Sequence, residues 1–174
     1  MNMKGKFQYL CFYVFAVLAL TVITGGCIKD NDGGRDPLKE GDRLPQFTVV
    51  LNDGSSVNVP EDLVGSVSCI VFFNTACPDC REELQLIDEL HSDYPQIPLL
   101  LISREEEAAS IESYWEEAGL TLPYSPQKDR AVYSLFASSV IPRIYISDSK
   151  GFIRHIHTDS PLPTLEQLED ELLN

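Results

Sequence analysis

Two largely apolar runs, Ser66–Phe73 and Ile97–Ile102, enclose a segment whose Leu84, Ile87 and Leu90 recur at helical spacing. Runs of this kind read as strands covered on both faces of a sheet. Pro78 stands at the favoured first position of the helix between them. Strand, helix and strand in that order predict a right-handed parallel crossover, and with it an α/β domain. The same unit puts Cys77-Pro78-Asp79-Cys80 where a buried strand ends and a helix begins.

The remaining segments extend this frame. Gln46–Leu51 and Ser56–Val59, joined by Asn52-Asp53-Gly54, predict a β-hairpin. Ser103-Arg104-Glu105-Glu106 has the pattern of a capping box opening a second helix along Ala108, Ile111, Trp115 and Ala118, with Gly119 as its stop. Asp129–Ala137 reads as a shorter helix. Arg143–Ser147 and Phe152–Thr158 read as an antiparallel hairpin, and a last helix starts near Thr164 with Leu165, Leu168 and Leu172 inward. With 174 residues, 44% of them hydrophobic, the chain can bury one substantial core.

Residues 1–26 read as a signal peptide: Lys4 and Lys6, an uncharged apolar run Leu10–Ile23, then the small residues Thr24-Gly25-Gly26. The run is shorter than the roughly 20 residues that span a bilayer core. Residues 27–40 are polar and Gly-rich, the composition of a flexible tether, and 41–174 form the expected domain. Thirteen Lys+Arg against 27 Asp+Glu give a formal net charge of -14, which repels phosphate backbones and excludes nucleic acid as a partner.

Of five cysteines, Cys11 leaves with the signal, and the spacing of Cys77 and Cys80 nominates a redox pair. A thiol at Cys77 meets unpaired backbone N–H groups and the positive end of the helix dipole, both of which favour thiolate. Cys80 lies one turn inside, on the side of Leu84 and Ile87. Cys77 is therefore expected to be the exposed nucleophile and Cys80 the shielded, resolving thiol. Asp79 between them opposes the thiolate, so a pKa of about 6–8 is expected at Cys77, suited to a reductant or isomerase. Glu83, three residues after Cys80, shares its helix face; partly buried, its carboxyl would have a raised pKa and could relay a proton. No metal centre or cofactor is expected, because the chain has no second Cys pair and no His at ligand spacing. Cys69 reads as a small core residue and Trp115 as core. His155 and His157 share a strand face without an evident third ligand.

Over about Gly41 to Asn174 the chain resembles the thioredoxin fold, and within it the exported TlpA/ResA-like thiol-disulfide oxidoreductases. The stretches LPQFTVVLNDGSSVNV, FFNTACPDCREEL, AGLTLPYSPQKD and VIPRIYISDSKGFI carry the likeness. The resemblance implies a mixed central sheet with flanking helices and an N-terminal β-hairpin, and Cys77 and Cys80 as the catalytic pair. It matches Glu83 to a glutamate of that branch. It also implies a cis Ile141–Pro142 peptide beside the dithiol, where the backbone pairs with a substrate strand, and Arg143 next to it is a candidate client contact. Gly26-Cys27 resembles a bacterial lipobox, in which Cys27 is diacylated and becomes the new N-terminus. Together these imply a lipid-anchored monomer facing the periplasm, or placed at the outer membrane or cell surface. It would draw electrons from a membrane thiol donor and reduce disulfide-containing client proteins. Other chemistries fit less well. A peroxiredoxin shows Pro-x-x-x-Thr/Ser-x-x-Cys, whereas Thr75 stands two before Cys77. Copper chaperones on this fold space their cysteines by three residues and add a distal His, and a lipoprotein with a structural CXXC would have no turnover.

Overall fold

The computed structural model describes residues 36–174. In chain order the elements are β1 (Phe47–Val50), β2 (Ser56–Val59), β3 (Ser68–Phe73), α1 (Pro78–Asp93), β4 (Leu99–Ser103), α2 (Ala108–Ala118), β5 (Tyr124–Ser125), a 3-10 turn (Tyr133–Leu135), β6 (Arg143–Ser147), β7 (Ile153–His157) and α3 (Leu165–Leu173). β1 and β2 form the antiparallel hairpin, and the other strands make one sheet in the order β5-β4-β3-β6-β7. β3, β4 and β5 run parallel, whereas β6 and β7 are antiparallel to their neighbours. This is the mixed sheet of a thioredoxin-like fold.

Every residue of β3 is buried, as an unbroken apolar run requires. Strand alternation divides its side chains between the two faces. On one face Phe73 meets Trp115 of α2 at 5.2 Å between ring centroids. On the other, Phe72 packs on Tyr133, Phe136 and Tyr145 at 5.4, 4.9 and 6.2 Å. The inner stripe of α1 is Cys80, Glu83, Leu84, Ile87 and Leu90. Burial of the three aliphatic side chains contributes roughly 2 kcal/mol each, which fixes the helix and so the cysteines it begins with.

Two expectations need correction, and one strand was not anticipated. Ser103 does not cap a helix: it closes β4, paired with Phe73, and its Oγ accepts the Gln127 N–H at 2.7 Å. Parallel pairing with β3 overrides the local pattern, and α2 starts later, with Glu107 at its N-cap. Gly119 ends α2 in the left-handed conformation that glycine permits. The Asp129–Ala137 segment yields only the 3-10 turn, because Asp129 Oδ1 takes the Ala131 N–H in a local turn at 2.8 Å and the rings of Tyr133 and Phe136 pack onto Phe72. Lastly, β5 was not foreseen. It is two residues long between Pro123 and Pro126, and its outer edge is met by Asn52, whose N–H donates to the Tyr124 carbonyl at 2.8 Å and whose Oδ1 accepts the Tyr124 N–H at 3.0 Å.

The carboxy-terminal elements follow expectation. Thr164 Oγ1 accepts the Gln167 N–H at 3.2 Å and caps α3, whose Leu168 and Leu172 are buried. Residues 36–40, read from sequence as part of the tether, are hydrogen-bonded to the domain: Leu38 N–H reaches the Phe136 carbonyl at 3.4 Å and Asp36 reaches Ser138. The chain then runs beside the start of β7 through Gly41 N–H to Ile153 O (2.8 Å) and Ile153 N–H to Asp42 O (2.9 Å). The signal segment and Cys27 lie outside the described residues. Among the described residues, no helix is long and apolar enough to cross a membrane.

Candidate active site

Beyond Phe73 the chain reverses into α1 through Asn74, whose Oδ1 accepts the Ala76 N–H (2.9 Å) and whose carbonyl accepts the Cys77 N–H (3.0 Å). Cys77 is the N-cap, with an extended backbone (φ -87, ψ 119) and Pro78 just after it. Its sulfur stands where a capping hydroxyl or carboxylate normally stands and accepts the Cys80 N–H at 3.4 Å. The same Sγ lies 3.7 Å from the Ile141 carbonyl, to which the thiol donates.

The expected difference in exposure is absent. Cys77 is 1% exposed and Cys80 is fully buried, both as thiols. Position rather than accessibility separates them: Cys77 faces the helix N-terminus and the Ile141 carbonyl, while Cys80 lies on the inner stripe of α1.

The Ile141–Pro142 peptide is cis. It sits in a loop, 138–142, that leads into β6. Val140 has φ 72, the only non-glycine with positive φ among the described residues. A β-branched residue there costs roughly 1–3 kcal/mol and persists only where its surroundings enforce it. Tyr133 supplies one restraint, its hydroxyl donating to the Val140 carbonyl at 2.8 Å. Asp36 supplies another: Oδ1 accepts the Ser138 N–H (3.0 Å) and Oδ2 accepts Arg143 Nη1 (2.6 Å). Burial pushes the Asp36 carboxyl up, but the Ser138 N–H and the Arg143 guanidinium outweigh it and hold the group below its ordinary value. Arg143 also donates from Nη2 to the Ser139 carbonyl at 3.0 Å, and only 6% of it is exposed. Its guanidinium is thus buried and braces the loop.

A second brace holds the turn before Cys77. Glu106 Oε2 accepts the Thr75 N–H at 2.9 Å and Oε1 accepts the Thr75 hydroxyl, while Arg81 donates to the Thr75 carbonyl. The Arg81 guanidinium lies over the Tyr114 ring at 5.0 Å. Next to this, Glu105 Oε1 accepts from Arg104 (2.9 Å) and Arg130 (2.6 Å), and these guanidiniums hold its carboxyl at about 2. The sequence reading missed Glu106, Tyr133 and Asp36. Only Glu106 had left a trace there, as the acid of the supposed capping box; it caps Thr75 instead of a helix.

Glu83 is buried as anticipated. It is 1% exposed, and among the described residues neither carboxylate oxygen has a hydrogen-bond partner. Burial, with a smaller push from the Glu82 charge, lifts its pKa to about 8. Near neutral pH the carboxyl is thus mostly protonated and able to exchange that proton. Burial also pushes the Cys69 thiol up, and the charges of Glu83 and Glu171 push it further, so this core thiol is not electrically independent of Glu83. His155 and His157 do share a strand face, their rings parallel at 6.4 Å, and the partner unseen in sequence is Glu171, 2.6 Å from His157 Nε2. Among the described residues no group of three or more His, Cys, Asp or Glu side chains could hold a metal ion.

Comparison with known proteins sets this arrangement in a wider group. The AhpC/TSA family matches residues 41–156. The thioredoxin-like protein YneN of Bacillus subtilis is 24% identical over 139 residues, 78% of this chain and 79% of that protein. The thiol-disulfide oxidoreductase ResA of Halalkalibacterium halodurans is 21% identical over 141 residues, 80% of this chain and 78% of its own. Among solved structures, a secreted thiol-disulfide isomerase from Corynebacterium glutamicum superposes with a TM-score of 0.64 at 19% identity, over 83% of this chain and 93% of that one.

Proposed function

Because the chain belongs to the AhpC/TSA family, with named thiol-disulfide oxidoreductases among its relatives, we propose that it reduces disulfides of client proteins through Cys77 and Cys80. The observation that carries this reading is the seat of the Cys77 sulfur, between the Cys80 N–H at the start of α1 and the Ile141 carbonyl. A helix N-terminus stabilises negative charge on sulfur, and a neighbouring backbone strand can pair with an extended client.

The reaction is a two-electron exchange. The Cys77 thiolate attacks one sulfur of the client disulfide; that S–S bond breaks, a Cys77–client bond forms, and the other client sulfur leaves and takes a proton. Cys80 then loses its proton and attacks the Cys77 sulfur. The mixed disulfide breaks, a Cys77–Cys80 bond forms, and the second client sulfur leaves as a thiol. The ionised fraction of Glu83, the minority near neutral pH because its pKa is about 8, takes the Cys80 proton and later returns it. Ile141 and Pro142 offer backbone to the client, and Arg143 keeps that backbone in place. A membrane thiol donor of electrons returns the pair to dithiol. The signal at 1–26 and a lipidated Cys27 put the enzyme outside the cytoplasmic membrane as a lipid-anchored monomer. The Thr75 hydroxyl donates to Glu106, and Thr75 stands two residues before Cys77 rather than the three of a peroxiredoxin.

Insulin reduction by the Cys77→Ser and Cys80→Ser variants tests the reading. Cys80→Ser should accumulate covalent mixed disulfides, whereas Cys77→Ser should form none, and both should lose turnover. Trapping by Cys77→Ser alone reverses the roles, and faster consumption of peroxide than of insulin disulfide by the parent replaces the reading with a peroxidase. Cys27→Ser should leave the membrane fraction.

A further inference from the structure

We infer that Tyr133 is a positioning residue for client docking: its hydroxyl keeps Val140 in the left-handed conformation that aims the Ile141 carbonyl at the Cys77 sulfur. The inference rests on the thiol-disulfide reading and deepens it. Val140 immediately precedes Ile141, so its φ of 72 sets the direction in which the next carbonyl points. A valine left to itself returns to negative φ, because its branched Cβ collides with the backbone in the left-handed region. The 2.8 Å bond from the Tyr133 hydroxyl to the Val140 carbonyl opposes that return.

The tyrosine is itself held. It is 1% exposed, its ring meets Phe72 edge-on at 5.4 Å, and the Arg104 guanidinium lies 5.6 Å from the ring centre. Phe72 is the penultimate residue of β3, and Arg104 N–H donates to the carbonyl of Phe73, the last residue of β3, at 2.8 Å. Tyr133 thus refers the loop to the same strand end from which Cys77 departs. Asp36 and Arg143 secure the flanks of the loop at Ser138 and Ser139. Its middle, where the strain sits, depends on Tyr133.

The test uses Tyr133→Phe, Val140→Gly and the double variant, with insulin and glutathione disulfide as substrates. Losing one hydrogen bond of this kind should raise KM for insulin about three- to tenfold, with kcat within about twofold. The rise for glutathione disulfide should be smaller, since a tripeptide pairs with little of the loop. Amide exchange at Ser139, Val140 and Ile141 should quicken. Glycine accepts positive φ unaided, so adding Tyr133→Phe to Val140→Gly should change KM and exchange much less than it does in the parent. Parental KM and exchange in Tyr133→Phe, or an equal effect in the glycine background, would overturn the inference. If the parent reduces no insulin, the functional reading fails, and the exchange rates alone still decide the role of Tyr133.

Discussion

Buried or half-buried carboxylates occur in two opposite settings. Beside the 138–142 loop and the end of β4, Asp36 and Glu105 are shared among guanidiniums and N–H groups. On the inner stripe of α1, Glu83 has no such partner among the described residues. The first setting holds the carboxyls below their ordinary values and the second lifts one above it. Paired groups stabilise the fold above their unfolded pKa, and that support is lost as pH falls through the lowered folded value. Glu83 behaves in reverse: its stability is fully present below its ordinary 4.5 and is lost as pH rises through about 8. One region secures backbone at neutral pH and gives way in acid; the other keeps a proton near the thiols at the expense of alkaline stability.

Removing a guanidinium from the paired region is the strongest way to break this contrast. Arg143→Ala should cost about 3 kcal/mol in denaturant unfolding at neutral pH, because Asp36 loses its guanidinium, keeping only Ser138, and the Ser139 carbonyl loses its Arg143 donor. A loss under about 1 kcal/mol would mean that the brace is ornamental. The unpaired region gives the next largest effect. Between pH 6 and 9 the parent should lose about 2–3 kcal/mol through Glu83, and Glu83→Gln should flatten that slope and slow insulin reduction. Parallel pH curves for parent and variant would place the titration elsewhere. The smallest change is expected for Glu105→Gln. Its carboxyl is 38% exposed, and solvent screening reduces the loss to about 1 kcal/mol at pH 7, fading as pH falls toward 2.

Much of the frame was legible because it depends on short-range rules. The apolar runs, Pro78 and the Leu84-Ile87-Leu90 repeat define β3, α1 and β4 with little help from distant residues. Cys77, Cys80 and Glu83 could be read because they lie on one helix. The same rules failed at Ser103, where pairing with Phe73 outcompeted a cap, and at Asp129–Ala137, where ring packing against β3 left only a 3-10 turn. Asp36, Glu106 and Tyr133 were out of reach for another reason: Asp36 acts 107 residues away and Glu106 acts 31 residues away. Tyr133 is only seven residues from Val140, yet nothing in the sequence announces that a valine there takes positive φ. For the same cause the exposure of Cys77 was misjudged, since the Ile141 carbonyl covering it is 64 residues distant.

The clasp between Asp36 and Arg143 also has a mechanical meaning. Asp36 is the first described residue, and its carboxylate grips Ser138 and Arg143, on either side of the Ile141–Pro142 peptide. A pull at Asp36 is met there first, and the load enters the 138–142 loop before it reaches the Gly41 and Leu44 bonds beside β7. A force applied at Asp36 therefore reaches the loop that holds the Ile141 carbonyl against the Cys77 sulfur.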